Sequence, residues 1–348
     1  MAGAVRDTFI VDGGPPNGTE LISLFPNVTA RGLIILAHGC RQSPRVWFSA
    51  SAGCPGCAPR PEERCMSEHA AIHAYVLVAA SNVRGSKGCW ETMDVPIVRD
   101  ALQAWRLKYK QRLPSSGMLP LFLLGPSSGG FFATQYARHV GGVSALSIQV
   151  SVPSVHDVSP PLPAGPSRAF PPLQMLLMQR DSGKLDEAQK LLRTQPPWPG
   201  QSDATLLKFT PKPVTPTFFS DGIVGLSPLA SRAARDALVN AGHVDAKSSR
   251  VLAHPSRGKW REPVLGALSR FGRDALPQRS LQVTMDAIFA RLDLAYAYHA
   301  SSCEFIDATI SFFSTHSPAI KISRGGASII RESRRGKASK GGRESLVS

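Results

Sequence analysis

Gly125-Pro126-Ser127-Ser128-Gly129 stands between an apolar run, LPLFLL, and a helical pattern, GFFATQYARHV. A serine at the centre of G-x-S-x-G, between a buried strand and a helix, suits a nucleophile on a sharp turn, where the residues two before and two after must lack bulk. Of the two serines only Ser127 has glycine on both sides at that distance. Pro126 removes no needed donor, because the amide that would face a developing oxyanion is that of Ser128. A phosphate-cradling loop would need G-x-x-x-x-G-K-[ST], and no lysine follows Gly129 or Gly130.

A serine nucleophile needs a second oxyanion amide, a base and an acid. The run LIILAHGC places His38-Gly39 at the tip of a buried strand, so the Cys40 amide is the expected second donor and His38 a structural residue bonding the loop. In a strand-turn-helix serine site the chain order is Ser, acid, His. Four histidines follow the later strands: His243, His254, His299 and His316. His243 and His254 fall by pattern in an expected insertion and His316 at the edge of the tail, whereas His299 stands in a break before the last core helix and is the expected base. The acid should follow the strand LQMLLMQ, which points to Asp181, with Asp186 and Asp157 as alternatives.

The elements that must carry these residues read as an α/β arrangement. Strands are expected at 21–29, in RGLIILAHG, and at 75–81, 119–125, 145–152 and 173–179, with helices near 62–74, 95–110, 130–140 and 185–195. Such alternation gives a mostly parallel sheet with helices on both faces. Residues 1–197 read as the first part of this core, 198–272 as a small helical lid, 273–318 as its C-terminal part and 319–348 as a tail. A lid helix is expected to start at Ser227-Pro228 and to close at Gly242.

The ordered set HG, G-x-S-x-G, acid and His resembles the α/β-hydrolase superfamily. HGCRQSPRVWF, CPGC followed by PEE, CW at 89–90, LGPSSGGFF, TPTFFSDGIVGLS and AYAYHASS are similar to a group of plant and algal α/β-hydrolases of undetermined substrate, over most of residues 30 to 315. The resemblance implies the α/β-hydrolase fold, a Ser127 nucleophile and a histidine at His299. Two departures stand out: the acid loop reads MQRDSG rather than H-G-x-x-D, and no clear strand precedes His299. The expected activity is hydrolysis of an ester or related acyl bond in a small molecule, without a cofactor. The competing expectation is a non-catalytic binding protein on the same fold, in which His299 would lie too far from Ser127 to share a proton.

Cys54, Cys57, Cys65 and His69 make a C-x2-C-x7-C-x3-H run. Four such ligands could hold a tetrahedral zinc ion, but the spacing matches no common module. A disulfide suits an oxidising compartment, and Cys65 and His69 could instead share one helix face. The net charge of +15 is partly a tail effect, since the residues from Lys321 onward carry eight Lys or Arg against Glu332 and Glu344. No aromatic residues interleave those basic ones, so no specific nucleic-acid partner is expected. No apolar run approaches the roughly 18 residues of a membrane span. Asp7 and Asp12 interrupt the stretch a secretory signal would need, which makes the cytoplasm the expected location, with a secreted or lumenal site if a signal is missing from this chain.

Overall fold

A computed structural model describes residues 5–11, 19–83, 88–114, 119–158, 170–194, 203–271 and 281–317. Its centre is an eight-stranded sheet. In chain order the strands are β1 (Val5–Val11), β2 (Thr19–Phe25), β3 (Gly32–Ala37), β4 (Tyr75–Ala80), β5 (Leu121–Pro126), β6 (Val143–Gln149), β7 (Leu173–Met178) and β8 (Thr205–Phe209). They lie side by side as β1-β2-β4-β3-β5-β6-β7-β8. β1 and β2 run antiparallel to their neighbours, and all later pairs are parallel.

The apolar runs explain this arrangement. GLIILA, YVLVAA, LFLLGP and LQMLLM are buried along their whole length, as strands covered on both faces must be. Along the first three of these the side chains alternate between two cores. Leu33, Ile35, Leu121 and Leu123 face α2 (Asp94–Lys108), α3 (Ser128–His139) and a later helix, Ser182–Leu192, through Val98, Leu102, Trp105, Phe132, Tyr136 and Leu185. Ile34, Leu36, Phe122 and Leu124 face α1 (Pro61–Ile72) and the last helix, Ile306–Thr315. There Phe122 stacks on Phe313 with ring centroids 4.7 Å apart.

Between β6 and β7 lies α4 (Val155–Val158), and α5 (Ser182–Leu192) joins β7 to β8. The chain then leaves the sheet. Short α6 (Phe218–Gly222), α7 (Pro228–Asn240) and α8 (Arg261–Leu268) form an insertion, and α9 (Leu281–Tyr296) leads back to α10 (Ile306–Thr315). The insertion has a core of its own around Phe219, Ala234, Leu238, Trp260 and Val264, shared with Ile288 and Leu292 of α9. Helix α7 starts as expected: the Ser227 side chain accepts from the Ala230 amide, Pro228 opens the helix, and Gly242 takes a positive φ of 71° beyond its end.

Several expectations need correction. Thr205–Phe209, assigned to the lid, pairs in parallel with β7 from Gln174↔Thr205 to Met178↔Phe209, so the sheet extends into that window. It is also the strand that the sequence pattern does not show before His299, separated from it by the insertion. TLLKF hides because only Phe209 of the five is buried, as befits an edge strand. α9, assigned to the core, packs on the insertion through Met285, Ile288 and Leu292 and on the core through Leu294 and the Arg291–Glu62 ion pair. β1 was not anticipated. The proposed zinc ligands do not converge: Cys54 is bonded to Cys57, and Cys65 to Cys303. No helix among the described residues is long and apolar enough to cross a membrane. The tail, 319–348, lies outside the described residues.

Candidate active site

The turn between β5 and α3 is built from residues without bulk. A Cβ on Gly125 would fall 2.5 Å from the carbonyl carbon of Gly129, and one on Gly129 would fall 2.2 Å from the Ala37 oxygen. Both positions therefore admit only glycine without displacement of backbone. Ser127 between them has φ 54° and ψ −120°, a conformation that costs a non-glycine residue on the order of 1–3 kcal/mol and persists only where its surroundings enforce it. Part of that enforcement is a hydrogen bond from the Ser127 amide to the Gln149 oxygen at 2.7 Å.

Ser127 Oγ lies 3.0 Å from His299 Nε2, and His299 Nδ1 lies 3.2 Å from Asp181 Oδ2. One tautomer satisfies both contacts: Nδ1–H donates to the carboxylate, which leaves the Nε2 lone pair to accept the serine O–H. Asp181 caps α5, accepting from the Lys184 amide at 3.4 Å, and its loop is tied to that of the histidine by the Arg180 amide donating to Ala297 O at 2.9 Å. The strand order, antiparallel at β1 and β2 and parallel from there on, with helices on both faces and a sharp β5–α3 turn, decides the architecture. The fold is that of the α/β-hydrolases.

The other sequence candidates go elsewhere. Asp157 accepts from Gln135, Arg138 and Ser154, and Asp186 is exposed on α5. His254 pairs with Asp293 at 3.0 Å, and His316 donates from Nδ1 to the Phe312 oxygen. His243 lies in the insertion.

The loop after β3 reaches the elbow of this α/β-hydrolase core, because Gly129 packs against the main-chain oxygens of Ala37 and His38. The Cys40 amide follows directly. Its loop is fixed by the Cys40–Cys89 disulfide, by the Arg41 amide donating to Gly88 O at 2.8 Å, and by Trp90 Nε1 donating to His38 O at 2.8 Å. His38 is fully buried with Nδ1 donating to Gly39 O, and burial holds its imidazole below the ordinary value of 6.5, a structural role as expected. Ser128 opens α3, so its N–H has no partner within the helix and contributes to the positive helix end.

Sequence reading missed what anchors the loop after His299. Ser301 Oγ donates to buried Glu63 at 2.7 Å, the Cys303 amide donates to buried Glu62 at 2.8 Å, and Cys303 is bonded to Cys65. Burial raises the Glu62 carboxyl above its usual range, against the opposing pull of Arg291 and the Cys303 amide. The PEE run quoted above was the available signal.

No family model and no curated protein sequence matches the chain. Among solved structures it is similar to an acetyl xylan esterase from Aspergillus awamori, at 14% identity over 51% of this chain and 73% of that one, with a TM-score of 0.37. It is also similar to a carboxyl esterase from Bacillus coagulans (19% identity, 43% of this chain, 45% of that one, TM-score 0.30) and to a bacterial heroin esterase (14%, 60%, 75%, 0.40). The match thus spans less than half the length of the Bacillus coagulans protein. Likeness of this degree carries nothing about reaction or substrate.

Proposed function

We propose that this protein is a serine hydrolase of an ester or related acyl bond in a small molecule. The observation that carries the reading is the unbroken chain of contacts from Ser127 Oγ through His299 to Asp181. Ser127 Oγ attacks the acyl carbon while His299 Nε2 takes its proton, and the Cys40 and Ser128 amides face the oxyanion. Collapse of the tetrahedral intermediate expels the alcohol, which receives the proton from His299, and leaves an acyl ester on Ser127. Water, deprotonated by the same nitrogen, repeats the attack; the second intermediate collapses by breaking its bond to Ser127 Oγ, which takes the proton back from His299 as the acid leaves. Asp181 holds the tautomer, and its carboxylate offsets the imidazolium charge. A histidine within hydrogen-bonding distance of Ser127 tells against the non-catalytic alternative. Three disulfides favour an oxidising compartment over the cytoplasm expected from the sequence.

The test is covalent labelling by a fluorophosphonate. The wild-type chain should be labelled and Ser127→Ala should not; absence of labelling, or labelling that survives that substitution, removes the proposal.

A further inference from the structure

Gln149 ends β6, the strand beside the one that carries the elbow, and is 3% exposed. Its main-chain oxygen accepts the Ser127 amide at 2.7 Å. Its side chain meets the main chain of Ser302 with both of its polar atoms: Oε1 accepts from the Ser302 amide at 2.7 Å, and Nε2 donates to the Ser302 oxygen at 2.9 Å. Nε2 also lies 3.2 Å from Met66 Sδ. Ser302 is three residues beyond His299 and 1% exposed. One residue is thereby fastened to the backbone of the nucleophile on one side and to the loop of the base on the other.

We infer that Gln149 is a positioning residue that sets the separation of Ser127 Oγ from His299 Nε2, an assignment that rests on reading these two as nucleophile and base. Only a primary amide of this length reproduces the paired contact. Asparagine falls one methylene short, and glutamate keeps the acceptor but sets an oxygen against the Ser302 oxygen. The next residue is held independently, since Cys303 is bonded to Cys65 and its amide to Glu62. Without the Gln149 contact the loop therefore stays on the protein while losing its register against β6. A shift of about 1 Å in reacting groups is enough to cost roughly 100-fold in rate.

The experiment measures the rate constant of fluorophosphonate labelling at Ser127, together with the melting transition, for Gln149→Glu and Gln149→Leu, each also made in a His299→Ala background. Both variants should melt cooperatively and be labelled roughly 10- to 100-fold more slowly, at unchanged saturation by the reagent. In the His299→Ala background either change should alter the rate by less than about twofold, because the two sites act through one contact. Wild-type labelling in a folded Gln149 variant overturns the inference. So does an equal loss with and without His299, and so does loss of cooperative melting in both variants, which would make Gln149 a support of the fold rather than of the distance. A wild-type chain that is not labelled at Ser127 is a different result, refuting the hydrolase reading itself.

Discussion

Replacing Gly129 by alanine probes the packing of the elbow on the loop after β3. The added Cβ would sit 2.2 Å from the Ala37 oxygen, 2.7 Å from the Ala37 carbonyl carbon and 2.8 Å from the His38 oxygen. All three are backbone atoms, so no side chain can rotate away, and restoring ordinary contact requires the start of α3 to retreat from β3 by about 1 Å. Overpacking of this kind costs roughly 1–3 kcal/mol, and the absence of any flexible neighbour places Gly129→Ala near the upper figure. The same retreat carries Ser127 and the Ser128 amide away from His299 and the Cys40 loop, which should slow fluorophosphonate labelling by about 100-fold. Gly266→Ala is the matched control. That glycine is exposed within α8 with nothing within 4 Å of a Cβ, and the change should stabilise by up to about 1 kcal/mol. Labelling rates with a fluorophosphonate and denaturant midpoints are measured for both. Gly129→Ala that labels at the wild-type rate and keeps its midpoint would refute the claim that the Gly129–Ala37 contact fixes the site.

Two further outcomes are expected. Paired Cys→Ser replacements should destabilise in order of the chain length each disulfide closes: Cys65–Cys303, with a separation of 238, by about 5 kcal/mol, Cys40–Cys89, with 49, by about 4, and Cys54–Cys57, with 3, by less than about 2. Denaturant midpoints falling in another order would contradict this. Burial holds His38 below its ordinary 6.5, so between its folded value and 6.5 the unfolded chain binds a proton that the folded chain refuses. Its contribution is present above 6.5 and lost as pH falls through the folded value, with a slope of up to about 1.4 kcal/mol per pH unit. Melting followed from about pH 8 to 5 should show a shallower decline in His38→Asn than in wild type, and an unchanged slope would place the titration elsewhere.

The parts of this molecule that sequence made legible are those in which one local pattern carries the whole constraint. GLIILA and LQMLLM are buried end to end and could be little else than central strands. The glycines around Ser127 announce a turn with no room for Cβ atoms, and Asp181 follows its strand at once. Features fixed by distant partners were illegible. Thr205–Phe209 is a strand because β7 offers it an edge, and its own side chains are mostly solvated. Cys303 lies 238 positions from the residue it bonds, beyond any spacing argument. Gln149 looks like one polar residue ending an apolar strand; its meaning lies in Ser302, which reaches it only after the insertion has been threaded.

The Cys65–Cys303 disulfide has a consequence for the life of the molecule under proteolysis. Its span encloses β4 through β8, the insertion and α9. A single cut between α1 and His299 leaves two fragments that remain covalently one molecule, with the piece bearing His299 still fastened to the piece bearing α1. Nicked protein should therefore run undivided on a non-reducing gel and split only when thiol is added. A broken loop in the insertion need not release the histidine from the serine it faces.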